Sequence, residues 1–179
     1  MRSWRIKKVL FDDRASEIAE AALVLPLAFM VLLGIYWFGR AFNTYATIND
    51  AAREGARVAV AQKCATCGNT APTPVAIATA VTQTLQASSV DPGQIIQYPT
   101  TTPTPAYCPG APAAPACSVS GNITICTDMQ LQTPPAAGGS PACGVAVSFR
   151  YPYQFWLPFT SLNNQQIILT ADVQMAGEY

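Results

Sequence analysis

Residues 21–39 read AALVLPLAFMVLLGIYWFG, and residues 41–63 read AFNTYATINDAAREGARVAVAQK. The first stretch carries no charge over 19 residues. As a helix it spans roughly 28 Å, close to the bilayer's hydrocarbon thickness of about 30 Å. Tyr36 and Trp37 lie near one end, where amphipathic rings favour the membrane interface, and Arg40 closes the run. In the second stretch Tyr45, Ile48, Ala52, Ala56 and Ala59 recur at steps of three and four, the period of a helix face. Asp50 with Arg53 and Glu54 with Arg57 place opposite charges one turn apart on the polar side. Nothing between the two stretches stops a helix. The pattern predicts one continuous helix from about Ser16 to about Gln62, within a segment 16–63, roughly 70 Å long, with a membrane span at about 21–39. Pro26 lies inside the span, where membrane helices tolerate proline. Gly55 is the poor helix former of the outer half.

The flanks set the orientation. Arg2, Arg5, Lys7, Lys8 and Arg14, against Asp12 and Asp13, make residues 1–15 a basic segment. The positive-inside bias puts that segment in the cytoplasm and residues 64–179 outside. A cleaved secretory signal is the rival reading, but it requires a shorter apolar core and a small-residue cleavage site. Here Arg40, Phe42 and Tyr45 follow the run, which favours a retained single-span anchor.

The two sides of the span differ in chemistry. Beyond Lys63 the chain holds one basic residue, Arg150, and the acidic residues Asp91, Asp128, Asp172 and Glu178. All six cysteines, Cys64, Cys67, Cys108, Cys117, Cys126 and Cys143, lie there too. An even set of cysteines in a polar, Pro-rich region fits disulfides in an oxidising compartment. Cys64-Ala-Thr-Cys67 also has a metal or redox spacing. Without a second such pair or any histidine, disulfide bonding is the better reading, and the spacing does not choose among the fifteen pairings open to six cysteines.

Composition narrows the function. Charged residues are 11% of the chain, the formal net charge is zero and histidine is absent. A nucleic-acid binder needs a basic face to neutralise phosphates, so nucleic acid is not an expected partner. Absence of histidine removes Ser-His-Asp and Cys-His catalysis and every His-ligated metal site. Asp128, Asp172 and Glu178 form no recognisable acid pair, and no pattern marks a small-molecule substrate. No catalytic residue, cofactor or metal is expected, and the chain reads as a structural or binding protein rather than an enzyme.

The outer part reads as a disulfide-rich α+β domain. Val75, Ala78, Val81, Thr82 and Leu85 mark a short amphipathic helix, and Asp91-Pro92-Gly93 a turn. Residues 94–98 read as a short strand, and residues 99–117 and 133–144 as Pro-rich loop. Residues 119–129 read as one strand. Val145, Val147, Phe149 and Tyr151 alternate with Ala146, Ser148 and Arg150. In the last strand Ile167, Leu169, Ala171, Val173 and Met175 alternate with Ile168, Thr170, Asp172 and Gln174. Alternation of this kind fits a small antiparallel sheet with one covered face, and the outer half of the long helix is the natural cover. Asn122-Ile-Thr124 matches a glycosylation acceptor, a pattern common by chance.

Two adjacent stretches carry a family resemblance. Ala19-Glu20-Ala21-Ala22-Leu23-Val24-Leu25-Pro26 is similar to the V-E-F-A-L-V-L-P opening of the TadE-like family of tight-adherence (Flp-type) pilus assembly proteins. Asn49-Asp50-Ala51-Ala52-Arg53-Glu54-Gly55-Ala56-Arg57-Val58-Ala59-Val60 is close to its A-A-R-x-G-A-R segment. The closing strand, Leu169-Thr170-Ala171-Asp172-Val173-Gln174-Met175, resembles the family loosely. The resemblance implies a pilin-like fold and a membrane-anchored minor pilin or pseudopilin, with the lipid bilayer and other pilus or assembly-machine subunits as partners. It marks Glu20, Pro26, Arg53, Gly55 and Arg57 as assembly or packing candidates. It also places a candidate prepilin-peptidase site at Ala15 and Ser16, with Ala15 where glycine is usual and Ala21 where an aromatic residue is usual. Glu20 would then pair with a neighbour's N-terminal amine or another cation during assembly. The residues alone equally fit a Glu20 resting in the headgroup region, solvated or paired with Arg14, and favour that reading for Glu17. Arg53, Glu54 and Arg57 read more simply as a solvated or domain-packing charge face. A single-span protein presenting an extracytoplasmic binding module is the alternative to a pilus component.

Overall fold

The computed structural model describes residues 13–61, 72–99, 108, 116–131, 142–155 and 166–177. The candidate site at Ala15 and Ser16 lies on its first helical turn, but their side chains are outside the described set, as are Cys64, Cys67 and residues 1–12.

Helix α1 runs unbroken from Asp13 to Val60, 48 residues or roughly 72 Å. It passes through Pro26, which has no N–H to donate to the Ala22 carbonyl, without a change of state. Helix α2 spans Pro74–Ala87. Its start is written locally: Thr73 Oγ1 accepts a hydrogen bond from the Ala76 N–H at 3.3 Å, and Pro74 occupies the first turn, where a missing N–H costs nothing. A single 3-10 turn, Pro92–Gln94, follows, closed by the Gly93 N–H donating to Asp91 Oδ1 at 2.9 Å.

Among the described residues the sheet holds four antiparallel strands in sequence order: β1 Ala116–Ser120, β2 Ile123–Gln130, β3 Cys143–Gln154 and β4 Gln166–Ala176. Ile96 adds a short bridge to β3 by exchanging both backbone hydrogen bonds with Arg150. The Arg150 guanidinium then donates to the Gln97 carbonyl at 3.0 and 3.3 Å, so the lone basic residue of the sequence beyond Lys63 clamps the 95–98 segment to the sheet.

The core forms where α1, α2 and the sheet meet. It contains Ile48, Ala51, Ala52, Ala56 and Ala59 of α1, Ile77, Ala78, Val81 and Leu85 of α2, Ile123 and Ile125 of β2, and Val145, Val147, Phe149 and Tyr151 of β3. The α+β class, the long helix and its role as cover for the sheet agree with the sequence reading.

Several details differ from it. The single strand expected at 119–129 is a hairpin whose turn, Gly121–Asn122, has both residues at positive φ (57° and 64°). Positive φ at both central positions is the requirement of a type I′ turn, which glycine and asparagine meet at low cost. Tyr45 is exposed, not buried. Below Ile48 the half-buried row is Trp37, Ala41 and Thr44, and Tyr45 lies one residue off it. On α2 the buried stripe takes Ile77, and Val75 faces out. Ala146 and Ser148 are buried as well as Val145 and Val147. They are small side chains on a strand paired along both edges there, between Cys126 and Gln174 and between Thr124 and Asp172, and these neighbours shade them.

Candidate functional site

Helix α1 has two halves with opposite surroundings. An 18-residue apolar window in it is wholly unburied by the rest of the chain, and Leu23, Leu25, Phe29, Met30, Leu32 and Ile35 all stand exposed. In water this surface would be strongly unfavourable, since each large apolar side chain left exposed forgoes about 1.5–3 kcal/mol. The half from Ile48 onward is the spine of the packed α+β domain. The helix is therefore long and apolar enough to cross a membrane, and its polar end is held in a packed domain.

Glu17 and Glu20 are exposed, one turn apart, just ahead of the apolar run. Pro26 lies within the bare half. Thirty or so residues further along, Gly55 is buried against α2 and β3. A Cβ added there would stand 2.5 Å from Val81 Cγ2 and 3.6 Å from both Ile77 Cγ2 and Val147 Cγ1. The glycine that weakens α1 locally is what lets α2 and the sheet close on it. Arg53 and Arg57 point away from this contact. Arg53 pairs with Asp50 at 3.5 Å and Arg57 with Glu54 at 3.8 Å, all with exposed side chains. Exposed pairs of this kind contribute little to stability. The assembly candidates thus fall into three separate places: Glu20 and Pro26 on the bare half, Gly55 in the core, and the arginines on a solvated face.

The junction between the halves holds groups the sequence reading did not connect. Tyr153, on β3, donates its hydroxyl to the Trp37 carbonyl at 3.5 Å. Phe155 stacks edge-on against Tyr153 at 5.1 Å and lies 6.0 Å from the Phe38 ring. Arg40 sits over Trp37 at 5.7 Å. Burial pushes the Tyr153 phenol above its ordinary pKa, with the Arg40 charge opposing. The signal was present as the Tyr-Pro-Tyr-Gln-Phe run at 151–155, but nothing in a linear sequence aligns that run with residue 37.

Among the described residues two disulfides stabilise the domain. Cys117 and Cys126 face each other in register on β1 and β2, with Cα atoms 3.9 Å apart. Cys108 is joined to Cys143 at the start of β3, closing a separation of 35 residues. Across the sheet's outer face Thr124, Ser148 and Asp172 lie side by side in register. Thr124 Oγ1 is buried without a hydrogen-bond partner. Asp172 keeps solvent contact at its edge position, yet partial desolvation raises its carboxyl pKa. Among the described residues no group of three or more His, Cys, Asp or Glu side chains converges as a metal site would.

Among the described residues one helix able to span a membrane continues as the spine of a disulfide-bonded α+β domain, which defines a class of protein built on a single helix shared between a bare apolar half and a small packed domain. Residues 16–57 match the family model described as TadE-like protein. The match takes in the first stretch that carried the resemblance and the second as far as Arg57, from the glutamates through the bare half of α1, and leaves the sheet outside it. No curated protein and no solved structure matches the chain.

Proposed function

We propose that this protein is a membrane-anchored minor pilin or pseudopilin-like component of a tight-adherence pilus assembly system. The observation that carries the reading is the division of α1. The TadE-like match over residues 16–57 covers the bare half and continues through Ile48, Ala52 and Ala56 into the half that is built into a domain. In this reading the bare half sits in the cytoplasmic membrane with residues 1–15 inside and the domain outside. The protein works by packing and anchoring, and its partners are lipid and other assembly subunits. Glu20 supplies a charge for subunit contact at the start of the span, where an unpaired carboxylate is costly.

The test is purification of the tagged full chain from native membranes in mild detergent. Pilus or assembly-machine subunits should co-purify, and deletion of the gene should abolish or reduce pili. A chain that purifies alone from a strain whose pili survive its deletion would overturn the reading. If that strain instead loses binding to an extracellular ligand, the chain is a binding module.

A further inference from the structure

The β3–β4 hairpin overhangs the rest of the sheet. β2 stops pairing with β3 at Ser148, and Ile96 takes up Arg150. The pairs Tyr151–Leu169, Pro152–Ile168, Tyr153–Ile167 and Gln154–Gln166 belong to β3 and β4 alone. Four residues of strand project the hairpin roughly 13 Å beyond its neighbours. It projects along α1 toward the bare half. The Tyr153 hydroxyl reaches the Trp37 carbonyl, and Phe155 reaches Phe38. Trp37 lies three residues inside Arg40, or roughly 4.5 Å into the apolar run. Ile167 and Ile168 at the same end are 46% and 49% exposed. The sequence from Tyr151 to Ala171 contains no charged residue.

We infer that the β3–β4 end of the domain is seated in the headgroup–acyl boundary of the bilayer, so that the domain meets the membrane at a second place besides its helix. The inference rests on α1 crossing the membrane. If residues 21–39 occupy the hydrocarbon, a hairpin that touches residues 37 and 38 has no room to stay in bulk water. Aromatic rings with one polar edge, here Trp37 and Tyr153, suit that layer, and the apolar Phe155 ring lies between Tyr153 and Phe38. Arg40 over the Trp37 ring is placed to extend its charge to the headgroups while its stem stays in apolar surroundings. Burial of the exposed isoleucines in the interface also removes apolar surface that the fold itself leaves open. The domain is thereby held at a fixed height and tilt.

The experiment uses the full chain in phosphatidylcholine vesicles with and without lipids brominated along the acyl chain. Trp4, Trp37 and Trp156 are replaced by Phe, and single tryptophans are introduced as Phe155→Trp, Ile168→Trp, Val31→Trp or Val119→Trp. Val31 is inside the span, and Val119 pairs through Thr124 with Ser148, roughly 23 Å along the sheet from residue 155. Quenching by brominated lipid should at least halve emission at 31, 155 and 168 and leave 119 unchanged. Quenching at 31 with none at 155 and 168 overturns this inference and spares the anchor. No quenching at 31 overturns both. Blue-shifted but unquenched emission at 155 and 168 means that protein, such as a second copy, covers the patch, and also overturns it.

Discussion

Gly55 of α1 lies directly beneath Val81 of α2, so close that a Cβ at residue 55 would stand 2.5 Å from a Val81 methyl carbon. That relationship opposes two effects of known size. Glycine inside a helix costs about 1 kcal/mol relative to alanine. Forcing an extra carbon into a packed contact typically costs about 1–3 kcal/mol. Val81 is fully buried, and the Val147 side chain lies on the other side of the gap, so there is little room to yield.

Gly55→Ala is therefore expected to destabilise the domain despite its better helix propensity, lowering the melting temperature of the purified chain. Val81→Ala in the same chain removes the obstructing methyl and should recover much of the loss relative to Val81→Ala alone. Stabilisation by Gly55→Ala alone would mean that α1 and α2 shift apart freely.

The disulfides should contribute unequally. On loop-closure entropy a separation of 35 residues is worth about 3.8 kcal/mol and one of 9 about 2.6 kcal/mol. Replacing Cys108 and Cys143 by serine should cost more in chemical denaturation than replacing Cys117 and Cys126. The shorter bridge also joins strands already paired in register. Labelling of the denatured, unreduced chain should find none of these four thiols free.

Orientation has its own test. An alkaline phosphatase fused after residue 179 should be active, and a cytoplasm-dependent fluorescent reporter at the same place dark. The basic residues of 1–15 and the cysteines beyond 63 both favour that outcome. The reverse pattern would place the domain inside the cell.

Much of this architecture is legible in the sequence because its signals are local. An uncharged run, a small-residue stripe at helical period and two alternating strands each identify an element from neighbouring residues. The stripes were displaced where a partner element decides the face. Val75 lost to Ile77, and Tyr45 fell beside the row continuing through Thr44, because the positions of α2 and the hairpin choose among adjacent rows. The Gly121–Asn122 turn is a local signal too, two residues suited to positive φ between β-branched runs. The junction of Tyr153 with Trp37 spans 116 residues of sequence and follows only from the register of β3 against its neighbours.

Asp172 predicts a pH dependence. Partial burial raises its folded pKa above the ordinary value of 3.8, so the folded chain disfavours the carboxylate. The resulting penalty is absent below 3.8, grows as pH rises through the folded value and is complete above it. Asp172→Asn should raise the melting temperature near neutral pH by a small amount, since the residue is partly solvated. The difference should disappear on acidification below that window. An equal difference at every pH would assign the effect to packing.

Glu20 provides the sharpest separation of assembly from folding. It stands at the start of the bare half of α1, and the buried core begins only at Ile48, 28 residues further along. Glu20→Gln keeps the size, removes the charge and leaves the apolar run intact, so membrane insertion and the melting of the outer domain should not change. If the carboxylate meets a cation on a neighbouring subunit, removing it strands that charge in a poorly solvated place, which is strongly unfavourable. Pilus output and recovery of partner subunits should then fall while the amount of membrane-inserted chain holds steady. Glu17→Gln is the comparison, one turn nearer the headgroups, and should have the weaker effect. A Glu17 variant that fails where the Glu20 variant assembles would shift the contact by one helical turn. Normal assembly by both would leave the two carboxylates as solvated groups at the membrane surface and remove them from the assembly contact altogether.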